Sequence, residues 1–179
     1  LDQLKYNEEF YKYFKDGNLK ININTQTKIH TFNIEIEKPL PLNAYLELEQ
    51  KLLKRFKDYN IELKIYSSEI NNEYIKEYYA YIIDIYKKEQ PLLEMFKNNN
   101  INLENNKLTI EVANLAEKMK LNTISDKIKN KFNHYGYGSI EVEIVINNDL
   151  NNEILKEIEK ELTKEVKVIE PVPKEEPKE

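Results

Sequence analysis

The same order of apolar patterns occurs twice along the chain, and this repeat limits the folds that the sequence can adopt. In each copy, a short helical pattern precedes two alternating strand patterns, an amphipathic helical pattern and a third strand pattern. The match reaches single residues, since "EMFKNNNINL" aligns with "KYFKDGNLKI" and "KIKNKFNHYGYGSIEVEI" aligns with "KLLKRFKDYNIELKI". We interpret the repeat as an internal duplication of an α-β-β-α-β unit.

The predicted fold class is α+β, with two tandem α-β-β-α-β modules of KH-like element order joined by a long tyrosine-rich helix. A C-terminal amphipathic helix and a charged, proline-rich tail follow the second module, and the tail cannot bury a core. The predicted boundaries are 1–68 for the first module, 69–90 for the connecting helix, 91–149 for the second module, 150–165 for the C-terminal helix and 166–179 for a flexible linker.

Two local features of the second copy are predicted in more detail. A tight hairpin turn is expected at Asn105 and Asn106, because asparagine readily adopts the backbone conformation of such turns. One continuous helix is predicted over residues 114–132, where the apolar residues Leu121, Ile124, Ile128 and Phe132 lie in line.

The connecting helix is apolar on more than one face. One stripe contains Ile75, Tyr78, Ile82 and Tyr86, and a second contains Tyr74, Tyr81 and Ile85. A helix with two apolar faces is usually packed between two bodies, and the two flanking modules are one interpretation. The other interpretation is a partner protein, for which the candidate contact residues are Tyr74, Tyr78, Tyr81 and Tyr86.

Composition restricts the class of function. The net charge of −5 and the pI near 5.4 argue against a nucleic-acid-binding chain, because affinity for a duplex comes mainly from cations on phosphates. Cysteine is absent, which excludes disulfides and thiolate chemistry. All apolar runs are shorter than the roughly 20 residues of a membrane span. We therefore expect a cytoplasmic protein without a membrane-bound form.

No motif for catalysis is found. Nucleotide-binding glycine motifs are missing, and three glycines offer little material for a phosphate-binding loop. His30 and His134 are the only histidines, and paired glutamates on the strand patterns lie opposite the apolar positions, where they face solvent. We expect no catalytic residues, no metal site and no cofactor.

The stretch "FNHYGYGSIEVEI" contains two of the three glycines and one of the two histidines. In the alignment of the copies, Gly136 matches Asn60, and both residue types readily end a helix in the left-handed conformation. His134 matches Asp58, so the two copies share no ligand type there. Gly136 and Gly138 are therefore predicted to form a structural turn rather than a site.

The α-β-β-α-β order also invites comparison with KH modules, which bind single-stranded nucleic acid through a GXXG loop between two helices. Neither copy contains a GXXG sequence. A KH-like single-stranded nucleic-acid-binding module remains the alternative to a protein-interaction module.

Several stretches resemble one family over about residues 4–147. They are "YFKDGNLKININTQTKIHTFNIEIEKPLPLNAYLELEQKLLKRF", "EYYAYIIDIY", "PLLEMFKNNNINLENNKLTIEV" and "KFNHYGYGSIEVEI". They resemble the N-terminal region of the PolC-type replicative DNA polymerase III alpha subunit. The resemblance implies a part of a DNA-directed DNA polymerase with 3'-5' exonuclease activity, but the catalytic aspartates of that polymerase have no counterpart here.

The resemblance also implies a role and a partner. The N-terminal region of that family is itself similar to the C-terminal alpha-binding domain of the clamp-loader tau subunit. We therefore expect a non-catalytic domain, monomeric in isolation, that tethers a replicative polymerase to a replisome protein such as tau.

Overall fold

The computed structural model describes residues 6–70 and 72–166. In the first copy, a 3₁₀ helix leads into two strands, a helix and a third strand, and the connecting helix follows. The bounds are Glu8–Phe14 for the 3₁₀ helix, Asn18–Asn24 for β1, Ile29–Ile36 for β2, Leu42–Arg55 for α1, Asn60–Ser67 for β3 and Ile75–Tyr86 for α2.

The second copy has the same order with one extra helix and one extra short strand. The bounds are Pro91–Phe96 for a 3₁₀ helix, Ile101–Glu104 for β4, Lys107–Val112 for β5, Leu115–Asn122 for α3, Ser125–His134 for α4, Tyr135–Gly136 for β6, Glu141–Ile146 for β7 and Asn148–Val166 for α5. Nearly all of the predicted linker lies outside the described residues, and the predicted module boundaries stay predictions.

The strands form two small sheets with the orders β1-β2-β3-β6 and β4-β5-β7. In both sheets the first two strands pair antiparallel, and the third strand pairs parallel to the second. The mixed α+β class is therefore confirmed. The closer KH-like arrangement of the units stays a prediction.

The hairpin of the second copy turns where it was predicted to turn. Asn105 and Asn106 have φ angles of 49° and 62°, and Glu104 pairs with Lys107 across the turn. Two consecutive residues with positive φ form the type I′ turn that matches the twist of the flanking strands.

The prediction of one helix over residues 114–132 is wrong, because the chain breaks between α3 and α4. The hydroxyl of Thr123 donates a hydrogen bond to the carbonyl of Lys120 at 2.7 Å, and the backbone of Ile124 leaves the helical region at φ −121°. Side chains of threonine and serine compete with the helix for backbone groups in this way. The break leaves Ile124 fully buried in the core.

The second copy also contributes a strand to the first sheet. Tyr135 and Gly136 of β6 pair parallel with Ile65 and Tyr66 of β3. The stretch predicted to be a turn after the helix therefore also joins the two copies.

Gly136 approaches β3 more closely than any other residue type could. Its φ is +98°, and a Cβ atom there would lie 2.6 Å from Oγ of Ser67 and 3.0 Å from Cγ2 of Ile65. Gly138 has φ +66°, but a Cβ atom there would meet only the end of the Ile70 side chain at 3.4 Å. Both positions favour glycine for its backbone freedom, and Gly136 also needs it for space.

Four tyrosines pack together where α1, α2 and β6 meet. Tyr45, Tyr78, Tyr135 and Tyr137, the tyrosine cluster, are each at most 4 % exposed. The ring centroids of Tyr78 and Tyr135 lie 4.8 Å apart, as do those of Tyr45 and Tyr135, and Tyr137 lies 5.6 Å from Tyr78. Tilted and edge-on pairs at these distances are the favourable geometries for aromatic rings.

Two hydroxyls of the tyrosine cluster find carbonyl partners. The hydroxyl of Tyr78 donates to the carbonyl of Leu40 at 3.0 Å, and that of Tyr45 donates to the carbonyl of Leu63 at 3.4 Å. Burial raises the pKa of Tyr78 and of Tyr45 far above the usual value of 10, so both remain protonated donors at neutral pH. The hydroxyl of Tyr79, which is also buried, has no partner among the described residues.

We expect Tyr78→Phe to lower the free energy of unfolding by about 1–2 kcal/mol, because the buried carbonyl of Leu40 loses its donor. Tyr79→Phe is the matched control, since it removes a buried hydroxyl that has no partner, and it is expected to be neutral or slightly stabilising. Urea unfolding followed by circular dichroism measures both. Equal losses in the two variants would contradict the assigned hydrogen bond.

Gly136→Ala is expected to lower the free energy of unfolding by more than about 1 kcal/mol, because it adds a steric clash with β3 to the backbone strain. Gly138→Ala carries the backbone strain alone and should lose less stability. Thermal unfolding of both variants tests this difference. A loss in Gly138→Ala as large as that in Gly136→Ala would show that the close approach to β3 has no energetic weight.

Candidate functional site

The four tyrosines predicted as partner contacts do not share one surface. Tyr78 is fully buried, whereas Tyr74, Tyr81 and Tyr86 are partly exposed. The hydroxyl of Tyr74 donates to the carboxylate of Glu73, the ring of Tyr81 lies 6.3 Å from that of Tyr135, and the ring of Tyr86 lies under the ammonium group of Lys127. A partner role for the exposed three stays a prediction, and Tyr78 presents no surface to a partner.

The burial of α2 explains this distribution. Its buried side chains are Ile75, Tyr78, Tyr79, Ile82 and Ile83, which together cover a wide face of the helix. Most of the apolar surface of α2 is therefore buried against other parts of the same chain.

The two histidines lie in different surroundings. His30 is 6 % exposed and stacks on the ring of Tyr59 with a centroid distance of 4.0 Å. Desolvation and then the positive charges of Lys64 and Lys131 lower the pKa of His134, which is therefore neutral at pH 7. Within the described part of the chain, no group of three acidic or histidine side chains is placed to hold a metal ion.

The carboxylates on the strands mostly pair with nearby cations and amides. Glu143 forms a salt bridge with Lys107 at 2.8 Å, with both side chains about half exposed. The side-chain amides of Asn147 and then Asn100 hold the pKa of Glu111 below its usual value, so this carboxylate stays ionised. These surroundings are those of solvent-facing carboxylates.

A strip of exposed aliphatic side chains runs along β1. Leu19, Ile21 and Ile23, the β1 strip, are 54 %, 46 % and 60 % exposed. Their neighbours across the strand pair are Ile34, Phe32 and His30, and each of these is buried. Directly opposed residues point to the same face of a sheet, so the β1 strip extends the core face beyond the part that is covered.

The ends of the β1 strip are bounded by aromatic residues. Beside Leu19, the residues Phe14, Gly17, Asn18 and Ile34 line a small, mostly apolar cavity of about 170 Å³. At the other end, Tyr59 is 40 % exposed and covers the ring of His30, which pairs with Ile23. The β1 strip and the cavity at its Leu19 end together form an exposed apolar surface about as long as the strand, which we call the groove.

Basic residues precede and follow Phe56, whose ring packs on the covered part of the sheet. The ring of Phe56 lies 5.4 Å from that of His30 and 5.5 Å from that of Phe32, which places its neighbours Arg55 and Lys57 beside the covered part of the sheet. Lys28 lies in the turn that joins β1 to β2.

Further cations lie along α1. Lys51 and Arg55 follow Ala44 by seven and eleven positions and so share its side of the helix. The carbonyl of Ala44 accepts a hydrogen bond from the hydroxyl of Tyr6, in the segment that leads to β1. This hydrogen bond ties the start of α1 to the N-terminal segment.

These cations are not neutralised within the described part of the chain. None of the following forms a salt bridge with another described residue: Lys28, Lys51, Lys54, Arg55 and Lys57, which we call the basic rim. The groove thus combines an apolar floor with unpaired positive charge, although the whole chain is acidic.

The sequence analysis did not identify this groove, because the alternation of Leu19, Ile21 and Ile23 does not tell what packs on them. The signal that could have found it is the ratio of helices to strands. A helix is about 10 Å wide and strands lie about 4.8 Å apart, so one helix covers about two strands. Besides the short helical pattern at its start, the first copy has three strand patterns and one amphipathic helical pattern, which leaves one strand without cover.

Comparisons with known proteins identify the N-terminal part of the chain. Residues 1–65 match the family described as DNA polymerase III polC-type N-terminus I, and no curated protein matches the chain. Every helix within the described residues is too short or too polar to cross a membrane. The match covers the segment from the N-terminus through most of β3, including the β1 strip and the basic rim, and it implies a role in DNA replication. Residues 1–65 of this chain are therefore similar to the polC-type DNA polymerase III N-terminal family.

Proposed function

We propose that this chain is a non-catalytic protein-interaction region of a replicative DNA polymerase and that it tethers the polymerase to the clamp-loader tau subunit. The observation that carries this proposal is the β1 strip, which leaves Leu19, Ile21 and Ile23 about half exposed on an edge strand. Contiguous exposed aliphatic surface of this kind is typical of sites where proteins bind one another.

The edge position of β1 strengthens this reading. Proteins usually protect exposed edge strands with short length, proline or charge, because open edges pair with other chains. β1 has seven residues, and its only charged residue, Lys20, lies on the face opposite the strip. An unprotected edge of this length is consistent with a partner that covers it in the assembled enzyme.

The choice of tau as the partner rests on the resemblance between this family and the alpha-binding domain of tau. Because this family resembles a domain of tau that binds a polymerase, we infer that the two similar domains take part in the same tether. The match of residues 1–65 to the polymerase family supports the replication context of this choice.

A second candidate function is the binding of single-stranded nucleic acid in a KH-like manner. The unpaired cations of the basic rim favour it, as does the exposed ring of Tyr59, because backbone cations and aromatic platforms bind single strands. Against it, the junction of α3 and α4 at Thr123 and Ile124 contains no glycine and hence no GXXG loop. The aliphatic floor of the groove also offers no base-stacking surface.

We expect calorimetric titration of the full chain with full-length tau to show saturable one-to-one binding with a dissociation constant in about the micromolar range or below. The other replisome proteins and an unrelated acidic protein are titrated under the same conditions as controls. Lack of heat with tau, or equal binding of the unrelated protein, would overturn the proposed tether.

A parallel titration with a labelled oligothymidylate at low and moderate salt tests the second candidate. Binding through phosphate contacts must weaken steeply as the salt concentration rises, because it releases counterions from the nucleic acid. We expect no salt-dependent binding. Tight binding of this kind, together with silence toward tau, would favour the KH-like function.

A further inference from the structure

The two copies differ at one equivalent place. In the sequence alignment, Leu19 and Ile21 of β1 match Ile101 and Leu103 of β4. The β1 residues are 54 % and 46 % exposed, whereas the β4 residues are 5 % and 6 % exposed. The strand registers agree, since the two β1 residues and the two β4 residues each lie opposite buried residues of the neighbouring strand. The same position of the fold is therefore covered in one copy and open in the other.

The cover of β4 is an amphipathic helix. α2 packs against β4, and its residues Tyr79 and Ala80 line the same small cavity as Ile101. α2 follows the third strand of the first copy and covers the edge strand of the second copy. In this fold, the apolar face of the edge strand is thus buried by a helix that comes from outside its own α-β-β-α-β unit.

We propose that the β1 strip binds an acidic amphipathic helix of a partner protein, in the position that α2 occupies on β4. The inference rests on the proposed function, because it names the surface and the chemistry through which the tether forms. The helix presents aliphatic side chains to Leu19, Ile21 and Ile23 and carboxylates to the basic rim.

Charge determines the acidic character of this partner. The five cations of the basic rim form no salt bridge with described residues, so they are available to an anionic ligand. Lys51 and Arg55 lie on one side of α1, and Lys28 lies in the turn next to Ile23. A helix with glutamates along its edges places them near both groups of cations.

The aliphatic floor distinguishes a helix from a nucleic acid. Leu19, Ile21 and Ile23 offer no aromatic face for base stacking, and their burial by apolar side chains is favourable at about 25 cal/mol per Å². A seven-residue strand is about 23 Å long, and a helix that follows it needs about 15 residues. These dimensions describe an amphipathic helix of about four turns.

A peptide from the chain itself serves as the probe. The sequence of α5, residues 148–166, is an amphipathic helix with six acidic and three basic residues, and its Leu155 and Ile158 are about half exposed. A fluorescein-labelled peptide of this sequence is titrated with the full chain, and fluorescence anisotropy reports binding. Two control peptides have the same composition in scrambled order and the same pattern with every charge reversed.

We expect the peptide to bind the full chain, and both control peptides to bind at least about tenfold more weakly. Ile21→Asp is expected to weaken peptide binding by about tenfold or more, because it places a charge in the apolar floor. The matched variant is Asn22→Asp, which adds the same charge on the opposite face of β1 and should change binding less than about twofold. Circular dichroism is the control for folding. We expect both variants to be folded, because both side chains are exposed.

Three results would overturn the inference. One is equal peptide binding by wild type and Ile21→Asp. Another is equal binding of the charge-reversed peptide. The third is evidence for another occupant of the strip. A concentration-dependent dimer that Ile21→Asp abolishes would assign the strip to a second copy of this chain. Binding of oligothymidylate without binding of the peptide would assign the groove to nucleic acid.

The same variants separate this inference from the proposed function. If tau binds the wild type and Ile21→Asp equally, the tether stands and the β1 surface is wrong. If the peptide binds at the β1 strip and tau does not bind the full chain, the surface stands and tau is not the partner.

Discussion

The structure depends on the tyrosine cluster, because this cluster holds together elements that are far apart in the sequence. Tyr45 comes from α1, Tyr78 from α2, and Tyr135 and Tyr137 from β6 and the residue after it. Large rings bury much apolar area, but each also brings a hydroxyl that needs a partner in the core. The bond from Tyr78 to Leu40 meets this need for one ring and fixes α2 against the loop before α1, whereas the hydroxyl of Tyr137 has no partner among the described residues. The position of α2 then decides which strand it covers.

The coverage of the sheets follows from this placement. Since α2 is held between the copies, its apolar surface buries β4 and leaves nothing for β1. β1, the edge strand that α2 does not cover, lies in the segment that matches the polymerase family. The groove is thus exposed because the two sheets differ in the helices that cover them, although their first three strands pair in the same order.

Much of the fold could be predicted from the sequence, and the candidate site could not. Alternation of apolar residues identified the strands, and the asparagine pair identified the turn at residues 105 and 106, because both signals are local. The break at Thr123 was missed because its cause is a side-chain hydrogen bond that competes with an otherwise regular helical pattern. The exposure of Leu19 and the burial of Ile101 could not be distinguished, since matching aliphatic residues at matching positions differ only in what packs on them.

The segment that matches the polymerase family depends on the short strand β6, which lies outside it. Residues 1–65 end within β3, but Gly136 of β6 occupies the open side of β3, and Tyr135 covers Tyr45. A chain shortened at residue 65 would leave a parallel edge unpaired and a buried aromatic face in water. Residues outside the segment that matches the family therefore complete the first sheet.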